Sequence, residues 1–257
     1  MVSTFSLQAC SVLERPAMKR SIGAPAVSSQ DESRATAAIT PARVMEQEQL
    51  PRMDCGQALS QDEDLRRSVV EQLADQGDLY AALAQVDALP RRSAAIGLLR
   101  ADILRQLDPP ESERWYRALL DTCMSGRAEH GLALLEAANG RYRDALVRMQ
   151  VAARTYPADP RIRNDLGVLH IYLNNDARAA FELRTAHELA KDDLQPRFNL
   201  MLLALLQADV ASWQDLSARW QPTTDVRGEL LAACLRVLPF RQVSGQGISV
   251  CPLDPRG

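Results

Sequence analysis

Cysteine and histidine are the residue types in this chain best suited to nucleophilic, redox or metal chemistry, and their spacing supports none of these. Cys10, Cys55, Cys123, Cys234 and Cys251 stand far apart and include no C-x-x-C pair, so neither a zinc site nor a thioredoxin-type motif can be read from them. Cys123 and Cys234 fall inside helical apolar patterns and read as small buried residues. His130, His170 and His187 lack metal-ligand spacing and read as surface or groove side chains. The acidic groups Asp62-Glu63-Asp64 and Asp192-Asp193 sit where helices begin, a position at which carboxylates cap backbone N–H groups and meet the positive end of the helix dipole. No string matches the phosphate-cradling Gly-x-x-x-x-Gly-Lys-Ser/Thr, the nucleophile elbow Gly-x-Ser-x-Gly, the dinucleotide loop Gly-x-Gly-x-x-Gly or the metalloprotease His-Glu-x-x-His. The expectation is a protein that is not an enzyme, with no catalytic residue, no metal and no cofactor.

The cysteine count is odd, which in an exported protein leaves one cysteine for another fate, and Cys10 is the candidate. Leu7-Gln8-Ala9-Cys10 resembles a bacterial lipobox, in which lipid is attached to the cysteine after cleavage before it. Gln8 departs from the Ser or Ala of that motif, and residues 1–10 carry no basic n-region and only a stub of an apolar h-region. Two readings therefore stand: a chance Leu-x-Ala-Cys, or a lipoprotein signal read from a start codon assigned too late. Residues 11–60 carry Pro16, Pro25, Pro41 and Pro51 among Ser, Ala, Gln and scattered charges, without a sustained apolar period, and are expected to be a mobile tether. Residues 239–257, with three Gly and two Pro from Phe240 onward, are expected to be a loose tail.

Between these ends the elements are helical. Aromatic residues make up only 5% of the chain, and Val, Ile and Thr never gather into alternating runs, so strands have little to be built from. The 30 basic and 33 acidic residues are mixed along the chain, and no Lys/Arg block offers the electrostatic footprint of a nucleic-acid binder. From Leu65 to Trp220 the sequence repeats with a period close to 34. In the clearest unit a helix over 129–138 breaks at Asn139-Gly140, a second helix begins at Arg141, and Pro157 closes it. Gly140, Tyr142 and Ala145 match the intervals of the tetratricopeptide consensus, which this region resembles. The small residue is needed where the two helices of a unit cross closely. Its equivalents are Ala82, Ser112, Ala145, Ala179 and, departing from the pattern, Trp213, at successive intervals of 30, 33, 34 and 34 residues. Trp213 predicts an open or capping end. The predicted fold is thus an all-α, tetratricopeptide-like right-handed superhelical solenoid over 61–238, of about five helix pairs plus a capping helix Val226–Leu238.

The resemblance implies that the first helix of each unit lines a concave groove. Carried onto this sequence, the groove residues are Arg127, His130, Leu134 and Ala138, then Arg161, Asn164, Val168 and Tyr172, then Phe198 and Leu202. They would form an apolar floor edged by Arg127, Arg161 and Asn164, suited to a peptide with one acidic group. The strings Gly131-Leu132-Ala133-Leu134-Leu135-Glu136-Ala137-Ala138-Asn139-Gly140, Arg163-Asn164-Asp165-Leu166-Gly167 and Arg197-Phe198-Asn199-Leu200 also resemble the TadD family of tetratricopeptide lipoproteins of Tad (Flp type IVb) pilus systems. That resemblance covers roughly 77–209. It implies a non-catalytic, pilotin-like scaffold in the periplasm, anchored to the outer membrane through lipid at Cys10, with the outer-membrane secretin or other pilus assembly components as partners. A cytoplasmic tetratricopeptide adaptor or chaperone, or a non-catalytic subunit of an enzyme complex, is the alternative if residues 1–10 are not a signal.

Overall fold

The computed structural model describes residues 50–56, 58–241, 251, 253 and 254. Cys10 and most of the expected tether lie outside these residues. Among the described residues the chain folds as five antiparallel helix pairs followed by a final helix. The pairs are α1 (Gln61–Gln76) with α2 (Leu79–Val86), α3 (Ala94–Leu107) with α4 (Pro109–Ala118), α5 (Ser125–Ala138) with α6 (Tyr142–Thr155), α7 (Pro160–Tyr172) with α8 (Asp176–Leu189), and α9 (Leu194–Gln207) with α10 (Val210–Trp220). Helix α11 (Thr224–Val237) and a 3-10 turn, Leu238–Phe240, complete the order. The all-α solenoid of five pairs and a last helix read from the sequence is the observed fold.

Local chemistry places the ends of these helices. Ser60 and Glu63 form a reciprocal capping box at the start of α1: the Glu63 amide donates to Ser60 Oγ at 3.3 Å and the Ser60 amide donates to Glu63 Oε2 at 2.7 Å. Asp108 both ends α3 and caps α4, with Pro109 and Pro110 supplying the fixed φ of a first turn. Asp159, Asn175, Asp193, Asp209 and Thr223 cap α7 to α11 in the same way. In four of the five pairs the turn reverses the chain through a left-handed residue, Gly77 (φ 85°), Gly140 (φ 76°), Asn174 (φ 57°) or Ala208 (φ 53°), whereas the α3–α4 turn at Asp108 keeps a negative φ. The last three left-handed residues are spaced by 34, so the turn recurs even where its residue is not glycine.

Packing confirms the repeat register. Ala82, Ser112, Ala145 and Ala179 are all fully buried at the crossing of their pair, and the Ser112 hydroxyl donates to the Ala101 carbonyl at 2.8 Å. Gly131 of α5 allows a close approach between successive pairs, since a Cβ there would meet the buried Tyr116 ring of α4. The apolar core runs along the stack in successive clusters: Val70 to Ile103 at the start, then Trp115, Tyr116 and Leu132, then Ala145, Met149 and Leu169, then Leu202, Leu205 and Leu230. Trp213 does not mark an open end. It is buried in the last cluster, with the Arg227 guanidinium of α11 6.0 Å from its ring centre.

Two disulfides correct the reading of the cysteines. Cys55 bonds Cys123 and Cys234 bonds Cys251, with Cα atoms 6.0 Å and 5.8 Å apart. Cys123 is exposed in the turn between α4 and α5 rather than buried in a helix, whereas Cys234 is fully buried. Widely separated cysteines have no sequence signature of pairing, because the fold alone brings them together. The bonds also order parts of both expected loose ends. Residues 50–56 lie against α3: the Asp54 amide donates to the Arg92 carbonyl, the Asp54 carbonyl accepts from Ala94, and Met53 is buried over Gly97. After α11, Phe240, Arg241, Cys251 and Leu253 pack back onto the stack.

The register makes a direct prediction. Ala145→Phe should cost about 1 to 3 kcal/mol by overpacking the α5–α6 crossing, with Ala179→Phe behaving alike. Denaturant titration measures this, and an unchanged midpoint would contradict the alignment of the repeats.

Candidate protein-binding groove

The first helices α5, α7 and α9 share a ladder of polar side chains. His130 Nε2 lies 2.7 Å from Asp165 Oδ2, Asn164 Nδ2 donates to Asp165 Oδ1 at 3.4 Å, and Asn199 Nδ2 donates to Asn164 Oδ1 at 2.8 Å. Asn164, Asp165 and Asn199 are buried. The two contacts between helices each span 35 residues, one more than the repeat period, so the same geometry is used twice in succession. At the entry edge the Arg127 guanidinium pairs with Asp159 and stacks 4.3 Å from the Tyr156 ring centre. Burial pushes the Asp159 carboxyl up, but the Arg127 hydrogen bond, the Ile162 amide and the charges of Arg127 and Arg161 outweigh it and hold the group below its usual range.

The expected groove residues do not form one accessible surface. Arg161 is exposed, and Arg127, His130 and Phe198 are half-buried. Leu134 and Tyr172 are each only 6% exposed, and Val168 and Leu202 are buried with them. Tyr172 stacks on Tyr142 with ring centres 4.3 Å apart and carries the Phe240 ring edge-on at 5.3 Å. Arg127 and His130 are engaged by Asp159 and Asp165, and Asn164 by Asp165 and Asn199, so these three hold helices together before they hold a ligand. Asp165 and Asn199 were not singled out as groove residues. Both lie in the strings Arg163-Asn164-Asp165-Leu166 and Arg197-Phe198-Asn199-Leu200, where the 34-residue repeat places them at equivalent positions.

Behind this face, Arg148 bridges Glu129 and Glu136, both at 2.8 Å, and Arg163 pairs with Glu182 at 2.9 Å, fastening each first helix to its second. His170 is buried on α7. Burial lowers its pKa, the Glu182 charge partly offsets this, and Arg178 adds to the lowering. Burial, reinforced by Arg197 and Arg219, lowers His187 as well.

Two predictions follow from this geometry. Asn164→Ala leaves Asn199 and Asp165 each short of a partner and should cost about 1 to 3 kcal/mol, whereas exposed Arg161→Ala should stay within roughly 0.5 kcal/mol of wild type. Equal losses in urea titrations would contradict a buried ladder. The second concerns pH. Because folding lowers the His170 pKa below its ordinary 6.5, the unfolded chain binds the proton first. Stability should therefore hold above about pH 6.5 and fall as pH drops through that value. Asp159 affects the profile only at lower pH: its folded pKa lies below the ordinary 3.8, so its stabilisation is fully present above that value and is lost as pH falls from there through the folded pKa. The urea midpoint should drop between pH 7 and pH 5, and the drop should shrink in His170→Gln; an undiminished drop would assign it elsewhere.

No family model matches the chain. TPR repeat-containing protein PA4299 of Pseudomonas aeruginosa is 36% identical over 202 residues, covering 79% of this chain and 81% of that protein. Among solved structures, Pseudomonas aeruginosa pilF matches 69% of this chain and 83% of its own at 16% identity and a TM-score of 0.53. A tetratricopeptide repeat protein from Parabacteroides merdae matches 70% of this chain and 78% of its own at 16% identity and a TM-score of 0.49. Five stacked helix pairs in tetratricopeptide register, together with the 36% identity to PA4299 over four fifths of its length, place the chain in the tetratricopeptide-repeat protein family, whose fold serves as a scaffold for binding other proteins.

Proposed function

We propose that this protein is a periplasmic scaffold that holds partner proteins during assembly of a Tad (Flp type IVb) pilus secretion machine, anchored to the outer membrane by lipid at Cys10. The observation that carries the reading is the pairing of cysteines. Disulfides persist in oxidising compartments such as the bacterial periplasm and are rare in the cytosol. Cys55–Cys123 and Cys234–Cys251 use four of the five cysteines and leave Cys10, in the lipobox-like Leu7-Gln8-Ala9-Cys10, as the odd one. The pilus-specific part is supported by the resemblance of the strings around Gly131, Asn164 and Phe198 to the TadD family. The partner is then the outer-membrane secretin or another pilus assembly component. Arg161, which is exposed, and Phe198, which is half-buried, are its points of contact, since they are the large side chains of the groove set that keep accessible surface and are not tied up in the polar ladder.

The test uses the full gene in its own cell. The wild-type protein should fractionate with the outer membrane, require detergent for release, and carry lipid mass at its processed N-terminus, whereas Cys10→Ser should move to the soluble fraction. Arg161→Ala with Phe198→Ala should weaken secretin capture by roughly tenfold to a hundredfold while the helical circular dichroism is kept. Recovery from the cytoplasm with all five cysteines alkylated before reduction would overturn the reading in favour of a cytoplasmic adaptor.

A further inference from the structure

The last helix keeps only part of the stacking rule that the others obey. Helices α2, α4, α6 and α8 each pack on the first helix of the following unit. Helix α11 stands where the first helix of a sixth unit would and packs on α9 as α9 packs on α7, but it meets α10 more slightly than the earlier helices meet their predecessors, with Arg227 over the Trp213 ring. Its inner stripe of Leu230, Ala233, Cys234 and Val237 belongs to the same apolar cluster as Val168, Tyr172 and Leu202, which hold the groove register of α7 and α9. Beyond it the chain runs back toward earlier units. The Phe240 ring meets Tyr142 and Tyr172 edge-on at 5.4 Å and 5.3 Å. The Arg241 fork donates to both oxygens of Asp176, at 2.8 Å and 2.6 Å, with only 6% of the arginine side chain exposed. An aromatic–arginine pair, its arginine buried and its Phe240 ring 43% exposed, thus lies on a surface built from the starts of α6 and α8 and the end of α7. A bidentate arginine–carboxylate pair and an edge-on aromatic contact are both selective in geometry.

We propose that the strap from Thr224 to Arg241 is a built-in ligand of the groove. It fills in cis a site formed by Tyr142, Tyr172 and Asp176, and a partner offering an amphipathic helix that ends in an aromatic–arginine pair competes with it. This rests on the reading that the first-helix face binds proteins. Tethered directly to α10, the strap acts at an effective concentration of order millimolar, so a partner in trans must bind well or the strap must first loosen. The Cys234–Cys251 disulfide fastens the buried middle of α11 to the chain that follows the strap.

The experiment uses the oxidised full-length chain and, as probe, a fluorescein-labelled synthetic peptide of residues 223–241. Phe240→Ala with Arg241→Ala should bind the peptide at least about tenfold more tightly than wild type, because the cis competitor is weakened. Adding Asp176→Asn and Tyr142→Ala should abolish that gain. Equal affinity for wild type and double variant would overturn the proposal. In case the variants fail to fold, hydrogen exchange on the wild-type chain gives a second reading. Amides of 228–241 should exchange through an opening that leaves α5 to α9 protected, and exchange only together with α9 would make the strap ordinary core and sink the idea. Neither measurement involves the secretin or Cys10, so the pilus reading can fail while this one stands, and the reverse.

Discussion

A pair of antiparallel helices buries only the strip along which its members touch, and the constraint that every other apolar face be covered by the next pair governs this molecule. Close crossing within a pair is the precondition. It is met by side chains no larger than serine at Ala82, Ser112, Ala145 and Ala179, and between pairs Gly131 lets α5 lie under the Tyr116 ring of α4. Once crossings are tight, neighbouring first helices come within hydrogen-bond range, and the ladder from His130 through Asp165 and Asn164 to Asn199 becomes possible. The ladder is costly if incomplete, since a buried amide or carboxylate without its partner loses its hydration for nothing. It therefore resists slippage between repeats as well as adding stability.

Each disulfide fastens chain outside the repeats onto the stack. Cys55–Cys123 holds residues 50–56 across α3, one unit in from the α1–α2 end, so Met53 covers Gly97 and packs with Trp115. At the far end α11 lies over α9, Trp213 fills the space that a small residue would have left, and Arg241 pins the chain to Asp176. Arg161 of α7 stays exposed and Phe198 of α9 half-buried. No described helix is long and apolar enough to cross a membrane.

Periodic features were legible in the sequence because each repeat votes for them. The small residue every 34 positions, the turns at Gly140 and Asn174, and the capping aspartates each have a local physical cause, so helix order and register could be read directly. What occurs once could not. The partners of Cys123 and Cys234 lie 68 and 17 residues away and are chosen by the fold, and the path of α11 is set by tertiary packing that leaves no period behind. Trp213 left two readings open, because a large residue at a small-residue position signals either an open end or a capped one, and the cover supplied by α11 selects the second. The expected groove residues Leu134 and Tyr172 lie on first helices, but neighbouring packing, which sequence spacing does not encode, takes their surface.

The central claim is that adjacent repeats complete one another, so that no pair is stable alone. Native-state hydrogen exchange, resolved helix by helix in the wild-type chain and in Asn164→Ala, tests it most directly. The account predicts that the slowest amides of α5 and α9 lose protection together with those of α7, although the substitution lies in α7 alone. Loss confined to α7, with α5 and α9 unchanged, would mean that the pairs are self-sufficient and would contradict it.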